Sequence, residues 1–240
     1  MKLSIREIKN RIKSEPIILL KKPWLVFLIP MILVYVVFNR FKRSEIKVYL
    51  TDTKLSELSS KNRLHSIGDN FIHTITNYNR FDEYVQKRII EDCSPEYPLV
   101  KITKDRFDRG DFAIVYTDQQ GAVLSYVFIC TKVAVFTPVG IDLQLPAHTF
   151  GMYDVYTYQD SRGKGHYSNL FYYAVDLMQS KGYDSMWLWL MSHNSISVRV
   201  HYKLGIKIIS KILTEKVVLG LIRRDVGEVK MSLAELISNE

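Results

Sequence analysis

The stretch Val155-Tyr156-Thr157-Tyr158-Gln159-Asp160-Ser161-Arg162-Gly163-Lys164-Gly165-His166 decides how the rest of this 240-residue chain is read. Four β-prone residues run into a polar turn holding two glycines, and apolar residues then recur at helical spacing over residues 167–180. A strand, a glycine turn and a helix in that order gather several backbone N–H groups at one point. Glycine lets the chain approach a ligand closely, and a helix N-terminus carries partial positive charge. Arg162 and Lys164 add cationic groups beside the turn, and arginine meets phosphate with a fork of donors. Such a turn suits a pyrophosphate. The chain has no GxxxxGK[ST], and no GxGxxG with an acidic residue about 20 positions later, so neither standard nucleotide pattern applies.

Working outward, residues 149–158 form the strand that feeds the turn. Upstream, residues 112–116 and 122–129 are rich in β-branched and aromatic side chains and flank Asp118-Gln119-Gln120-Gly121, the pattern of an antiparallel hairpin. Residues 55–92 have a helical pattern, with Phe81, Tyr84, Val85 and Ile89 on one face, and residues 46–50 suit a first strand. The stretch 131–148, with Pro138, Gly140 and Pro146, is irregular and is a candidate wall for an acceptor pocket. Downstream, Lys181-Gly182 closes the helix, residues 185–190 form a strand, and residues 194–204 form a second helix ended by Gly205. Two last strands are predicted at residues 206–213 and 217–222. The fold class is α+β: a mixed, mostly antiparallel sheet of about seven strands flanked by helices on both faces.

Residues 155–165 closely resemble the acetyl-CoA-binding motif of the GNAT superfamily of N-acyltransferases, in which a strand leads to Arg/Gln-x-x-Gly-x-Gly/Ala and a helix. Further on, Asn194-Ser195-Ile196-Ser197 and Tyr202-Lys203-Leu204-Gly205-Ile206 resemble the family's second signature. The resemblance covers residues 46–222 and leaves residues 1–45 outside. Tyr167 departs from it, standing where the pattern has a small Gly or Ala, so the helix start must accommodate a bulky ring.

The resemblance implies a GNAT-like fold and acetyl-CoA as acyl-donor cosubstrate, with direct attack of an amine, or a hydroxyl, on the thioester. It implies that backbone groups of Tyr156 and Thr157 meet the pantetheine and the thioester oxygen. Arg162, Gly163, Lys164, Gly165, His166 and Tyr167 would surround the pyrophosphate. Asn194 would touch the pantetheine arm, and its position equally suits a helix N-cap. Tyr202 would hand a proton to the departing sulfur, or else stack within the second helix. Acyl transfer needs a neutral amine, a polarised carbonyl and a protonated leaving thiolate. Side chains alternate along a strand, which puts Asp154, Tyr156 and Tyr158 on one face and Val155 and Thr157 on the other. Asp154 then faces the acceptor, as a base acting through water or as a holder of the amine. His148 is the alternative base, and His166, His193 and His201 are expected to cap, pack or meet the cofactor. Cys130 closes an apolar strand and is expected in the core, which disfavours a covalent acyl-cysteine route.

Only two cysteines occur, Cys93 and Cys130, without CxxC spacing or a Cys/His cluster, so neither a disulfide framework nor a metal site is expected. The formal charge is +8. Much of it lies early, with Lys2, Arg6, Lys9, Arg11, Lys13, Lys21 and Lys22 before the uncharged run WLVFLIPMILVYVVF (residues 24–38) and Arg40, Lys42, Arg43 and Lys47 after it. As a helix that run is about 22 Å long, short of the roughly 30 Å hydrocarbon core, and Pro30 bends its middle. Basic residues on both sides suit a re-entrant or interfacial segment. A single span and a buried helix remain the alternatives. Ile5, Ile8 and Ile12 share one face of a basic helix, which suits anionic lipid or an ordinary surface.

The expected organisation is therefore a basic, membrane-associated segment over residues 1–45 and a catalytic domain over 46–240. The domain is placed on the cytoplasmic side, with an amino sugar of a surface polysaccharide as leading acceptor. Transfer of a longer acyl chain and a catalytically inactive membrane scaffold are the competing readings, and oligomerisation is left open. Nucleic acid is disfavoured, because the basic residues cluster beside the apolar run and form no stripe interleaved with aromatics.

Overall fold

The computed structural model describes residues 44–58, 71–81, 99–218 and 221–238. The chain divides into two units, one of Met1–Glu45 with Lys216–Arg223 and one of Ile46–Glu215 with Arg224–Glu240. In the first, Lys216 Nζ pairs with Glu45 Oε1 at 3.1 Å. That unit takes in residues 216–223, which the sequence reading assigned to the catalytic domain. The second unit carries the site described below.

Alternation of β-branched and aromatic residues builds one eight-stranded sheet, ordered β10-β9-β1-β8-β7-β4-β3-β2. Its strands are β1 (Ser44–Lys54), β2 (Phe71–Ile75), β3 (Phe112–Thr117), β4 (Val123–Cys130), β7 (Thr149–Thr157), β8 (Ser185–Met191), β9 (Ile208–Val218) and β10 (Leu221–Ser232). A separate hairpin pairs β5 (Val133–Phe136) with β6 (Ile141–Gln144). The helices are α1 (Tyr78–Phe81), α2 (Leu99–Asp108), α3 (His166–Ser180), α4 (Ser195–Lys203) and α5 (Leu233–Ser238).

Both faces of the central strands are buried, so their sequences read as apolar runs rather than half-polar alternations. Ile114, Tyr116, Val127 and Ile129 turn to one face, against Leu170, Phe171, Ala174, Val175 and Met178 of α3. Those five α3 positions follow the helical period, which is why this segment forms a helix and buries that stripe. Ala113, Val115, Tyr126 and Phe128 turn to the opposite face, with Phe81 and Phe107. Cys130 is buried on that second face as a free thiol, and burial pushes its pKa up. β7 and β8 are parallel, and α3 supplies the crossover that parallel neighbours require.

Several boundaries differ from the sequence reading. The sheet has one strand more than expected, because residues 71–75 pair with β3 instead of continuing a helix. Within 55–92 the described helical pieces are a 3-10 turn at Leu55–Glu57 and the single turn α1, while Tyr84, Val85 and Ile89 lie outside the described residues. Apolar residues at 71, 72 and 75 fit either period, and the free edge of β3 decides for the strand. α2 was not anticipated, and the irregular stretch around Pro138 contains the β5–β6 hairpin. β9 and β10 run further than predicted. Residues 1–43, with the apolar run at 24–38, lie outside the described residues. Among the described residues no helix is long and apolar enough to cross a membrane.

Candidate active site

The turn before α3 is built from two left-handed glycines, Gly163 at φ 76° and Gly165 at φ 79°. L side chains rarely adopt that region, and a Cβ at either position would meet nothing within 4 Å, so the turn opens onto free space. No side chain caps α3, and its first-turn N–H groups therefore have no partner within the helix. The result is a row of donors at the positive end of a 15-residue helix. Arg162 folds back beside the turn. Its Nε donates to the Thr157 carbonyl at 3.0 Å and its guanidinium lies 5.7 Å from the centre of the Tyr156 ring, so its remaining donors can face a ligand. The His166 ring lies 5.4 Å from the Tyr116 ring, and its pKa is lowered by partial burial and by Lys164.

The departure at Tyr167 has a structural answer. The ring turns away from the glycine turn into the space between α3 and α4, edge-on to Phe171 and to His201. Its hydroxyl donates to His201 Nε2 at 2.6 Å, while His201 Nδ1–H donates to the Ser197 carbonyl at 2.7 Å. Burial pushes the His201 pKa down to about 4 against the opposing effect of that carbonyl, so the imidazole is neutral near pH 7. The bulky side chain thus ties two helices together and leaves the turn clear.

From that turn β7 runs back to the place where it parts from β8. The two strands pair from Thr149–Ser185 to Met152–Leu188, and no further. At that point β7 bulges: Tyr153 is opposite Phe128 and Tyr156 opposite Tyr126, so Asp154 and Val155 share the space facing Val127. Asp154 has φ 46°, one of two non-glycine residues at positive φ among the described residues, the other being His148. The alternation expected from Asp154 onward therefore fails just before it, since Tyr153 and Asp154 both turn toward Arg106. A cleft of about 440 Å³ opens here. β7 contributes Tyr153, Asp154 and Val155, β8 contributes Trp189 and Leu190, and Asn194, Ser197 and His201 close the α4 side. Asp105 and Arg106 of α2, Arg109 just beyond its end, and Thr137 and Pro138 complete the wall.

The α2 residues were missed in the sequence, and they set the charge of the cleft. Arg106 Nη1 is ion-paired with Asp154 Oδ2, and its guanidinium stacks over the Phe128 and Tyr153 rings at 4.7 and 5.1 Å. Burial works against its charge, but Asp154 and the neighbouring tyrosines outweigh it, and its pKa is raised. Tyr153 Oη donates to Asp111 Oδ2 at 2.6 Å, and Arg109 Nη2 meets the same oxygen at 2.9 Å. Burial raises the Asp111 pKa in spite of these donors.

The other sequence-predicted residues fall at different places. Asn194 lines the cleft and also caps α4, its Oδ1 accepting from Ser197 N at 3.0 Å. Tyr156 and Thr157 lie between the cleft and the glycine turn. The Tyr156 carbonyl accepts from Ser125 Oγ at 2.8 Å. Lys164 is exposed in the turn. Tyr202 is 41% exposed on α4 and does not line the cleft, whereas its neighbour His201 does. His148 stands before the start of β7, its Nδ1 at 3.2 Å from the Gly182 carbonyl, away from the cleft wall. No group of metal-ligating side chains occurs among the described residues.

Comparison with known proteins matches this geometry to a family. The family model for the acetyltransferase (GNAT) family matches residues 81–206, which run from α1 through the bulge, the glycine turn and α4. A Drosophila protein of known structure is similar in fold, with a TM-score of 0.52 and 10% identity over 81% of this chain and 58% of that one. A conserved Staphylococcus epidermidis protein gives a TM-score of 0.48 and 10% identity over 70% of this chain and 59% of its own. For a Novosphingobium aromaticivorans protein of the GNAT family the values are 0.45 and 11%, over 78% of this chain and 66% of that one. This chain therefore spans less than two thirds of the length of each of these proteins. No curated protein matches the sequence significantly. Family membership rests on the match through more than half of the chain, which includes the glycine turn and the second helix: the protein belongs to the acetyltransferase (GNAT) family of acyltransferases.

Proposed function

We propose that the protein transfers the acetyl group of acetyl-CoA to a primary amine, with an amino sugar as the leading acceptor. The observation that carries the reading is the uncapped start of α3, reached through Gly163 and Gly165, next to the cleft where β7 leaves β8. A diphosphate fits that start, because no side chain caps the first-turn N–H groups and the space in front of both glycines is open. Arg162 and Lys164 stand beside it as further partners for phosphate.

From the turn, the pantetheine arm would follow β7 past Thr157 and Tyr156 to the bulge, with Asn194 on the other side. At the bulge the thioester carbonyl would accept from backbone N–H groups of β7, which has no β8 partner there. Asp154 uses Oδ2 for Arg106, leaving Oδ1 to hold the acceptor's amine or to draw its proton off through water. The amine nitrogen bonds to the acetyl carbon, the carbon–sulfur bond breaks, and the sulfur leaves with the electron pair. Tyr202, half-exposed on α4 next to the cleft-lining His201, would supply the proton that neutralises the thiolate once the acyl donor is bound.

The apolar run at residues 24–38, flanked by basic residues, would hold the catalytic unit at a membrane whose lipids carry the acceptor. The reading is tested by incubating the full chain with acetyl-CoA and a panel of glucosamine, galactosamine and simple alkylamines, following CoA release and product mass. An acetylated amino sugar is expected. CoA release with no acetylated amine, or product formed only on hydroxyl groups, would overturn the amine assignment.

A further inference from the structure

Arg106 belongs to no motif, yet it touches the least relaxed point of the site. Its side chain is 8% exposed, stacked over the Phe128 and Tyr153 rings, and ion-paired with Asp154. Asp154 is the bulged residue of β7, with φ 46°, at the position where the β4 register shifts and pairing with β8 has just ended. Positive φ is uncommon for a non-glycine residue; Asp tolerates it better than most side chains, and within a strand it persists where the surroundings hold it. Here a buried, doubly stacked guanidinium fastens the Asp154 carboxylate from the α2 side. Tyr153, Asp111 and Arg109 extend the fastening, since the Tyr153 ring that supports Arg106 is itself held by Asp111.

We propose that Arg106 is a positioning residue of the acyl-transfer reaction, which through Asp154 holds the β7 bulge in the shape that turns backbone N–H groups toward the thioester carbonyl. The inference rests on the acetyl-CoA reading above. It gives α2 a part in the chemistry although α2 itself offers nothing to the acyl donor. Without the guanidinium, Asp154 can relax toward ordinary extended backbone, and β7 would then present its amides along the strand instead of into the cleft.

The test needs no acceptor. Acetyl-CoA labelled with ¹³C at the acetyl carbonyl is bound to the full chain and the carbonyl stretch is read by isotope-edited infrared spectroscopy, with affinity measured separately by calorimetry. In the wild type the stretch is expected to lie below its value for free acetyl-CoA, and binding without such a shift would overturn the proposal. Arg106→Met is expected to bind acetyl-CoA with little change in affinity but to lose most of that shift. Arg106→Lys, which keeps the charge without the planar stacking group, is expected to retain part of it. Should Arg106→Met fail to fold, Arg106→Lys decides alone, and a wild-type shift in it overturns the proposal. A wild-type shift in folded Arg106→Met overturns it too, leaving the acetyl-CoA reading intact. Absence of acetyl-CoA binding by the wild type refutes that reading instead, and this inference with it.

Discussion

Tyr202 and His201 are adjacent on α4 but differ in burial, which separates two tasks that a sequence pattern merges. His201 is buried at the cleft, and both its ring nitrogens are engaged, by Tyr167 and by the Ser197 carbonyl. It has no free site for a substrate proton and acts as a fastener. Tyr202 is 41% exposed, so its side chain is reachable from solvent. If its hydroxyl neutralises the leaving thiolate, Tyr202→Phe lowers turnover by roughly 10²-fold, the low end for general acid catalysis, and leaves acetyl-CoA affinity unchanged. Steady-state kinetics beside calorimetry check this, and unchanged turnover would assign the proton to water. At this scale the left-handed glycine turn was legible, because conformational need is a property of the residue itself. The partner of Asp154 was not. Strand alternation gives the face on which Asp154 lies but says nothing of a guanidinium 48 positions away in sequence, nor of a bulge.

Among the elements, the joint between α3 and α4 has a pH signature. An unfolded histidine takes up a proton near pH 6.5, whereas buried His201 resists protonation until about pH 4. Protons therefore bind preferentially to the unfolded chain in that window. Its contribution is fully present above pH 6.5 and is lost as the pH falls toward 4, by about 3 kcal/mol in full. His201→Gln removes this linkage. In urea unfolding, the stability difference between wild type and His201→Gln is expected to shrink as the pH drops from 7 to 4.5. A difference independent of pH would mean that His201 titrates normally when folded. Tyr167→Phe, which leaves His201 Nε2 without its donor, should cost about 1–3 kcal/mol at neutral pH in the same assay.

The elements that could be read beforehand were those whose burial follows a simple period. The apolar stripe of α3 marks it as a helix, and Asn194 and Gly205 bracket α4. α2 escaped because its buried positions include Thr103 and Arg106 beside Phe107, so the face toward the core looks polar in sequence. β2 escaped for a different reason. Phe71, Ile72 and Ile75 suit helix or strand equally, and only the open edge of β3 settles which one forms.

For the molecule as a whole, every group assigned to the acyl donor lies in the unit of Ile46–Glu215 with Arg224–Glu240, and the basic, apolar N-terminal run lies outside it. A chain starting at Glu45 is therefore expected to fold and to bind acetyl-CoA with the affinity of the full protein. Aggregation with loss of binding would make the run part of the core. In the full chain in intact cells, a cysteine added at the N-terminus is expected to resist an impermeant thiol reagent until lysis, as a re-entrant segment requires. Labelling before lysis would establish a single span. The central claim is that the turn before α3 binds the diphosphate of acetyl-CoA, and calorimetry of acetyl-CoA with the wild type and with Gly163→Glu tests it most directly. Glutamate there combines a strained left-handed backbone with a negative charge at the phosphate site. The account predicts binding by the wild type and a loss of roughly a hundredfold or more in the folded variant, whereas equal affinity for both, or no binding by the wild type, would contradict it.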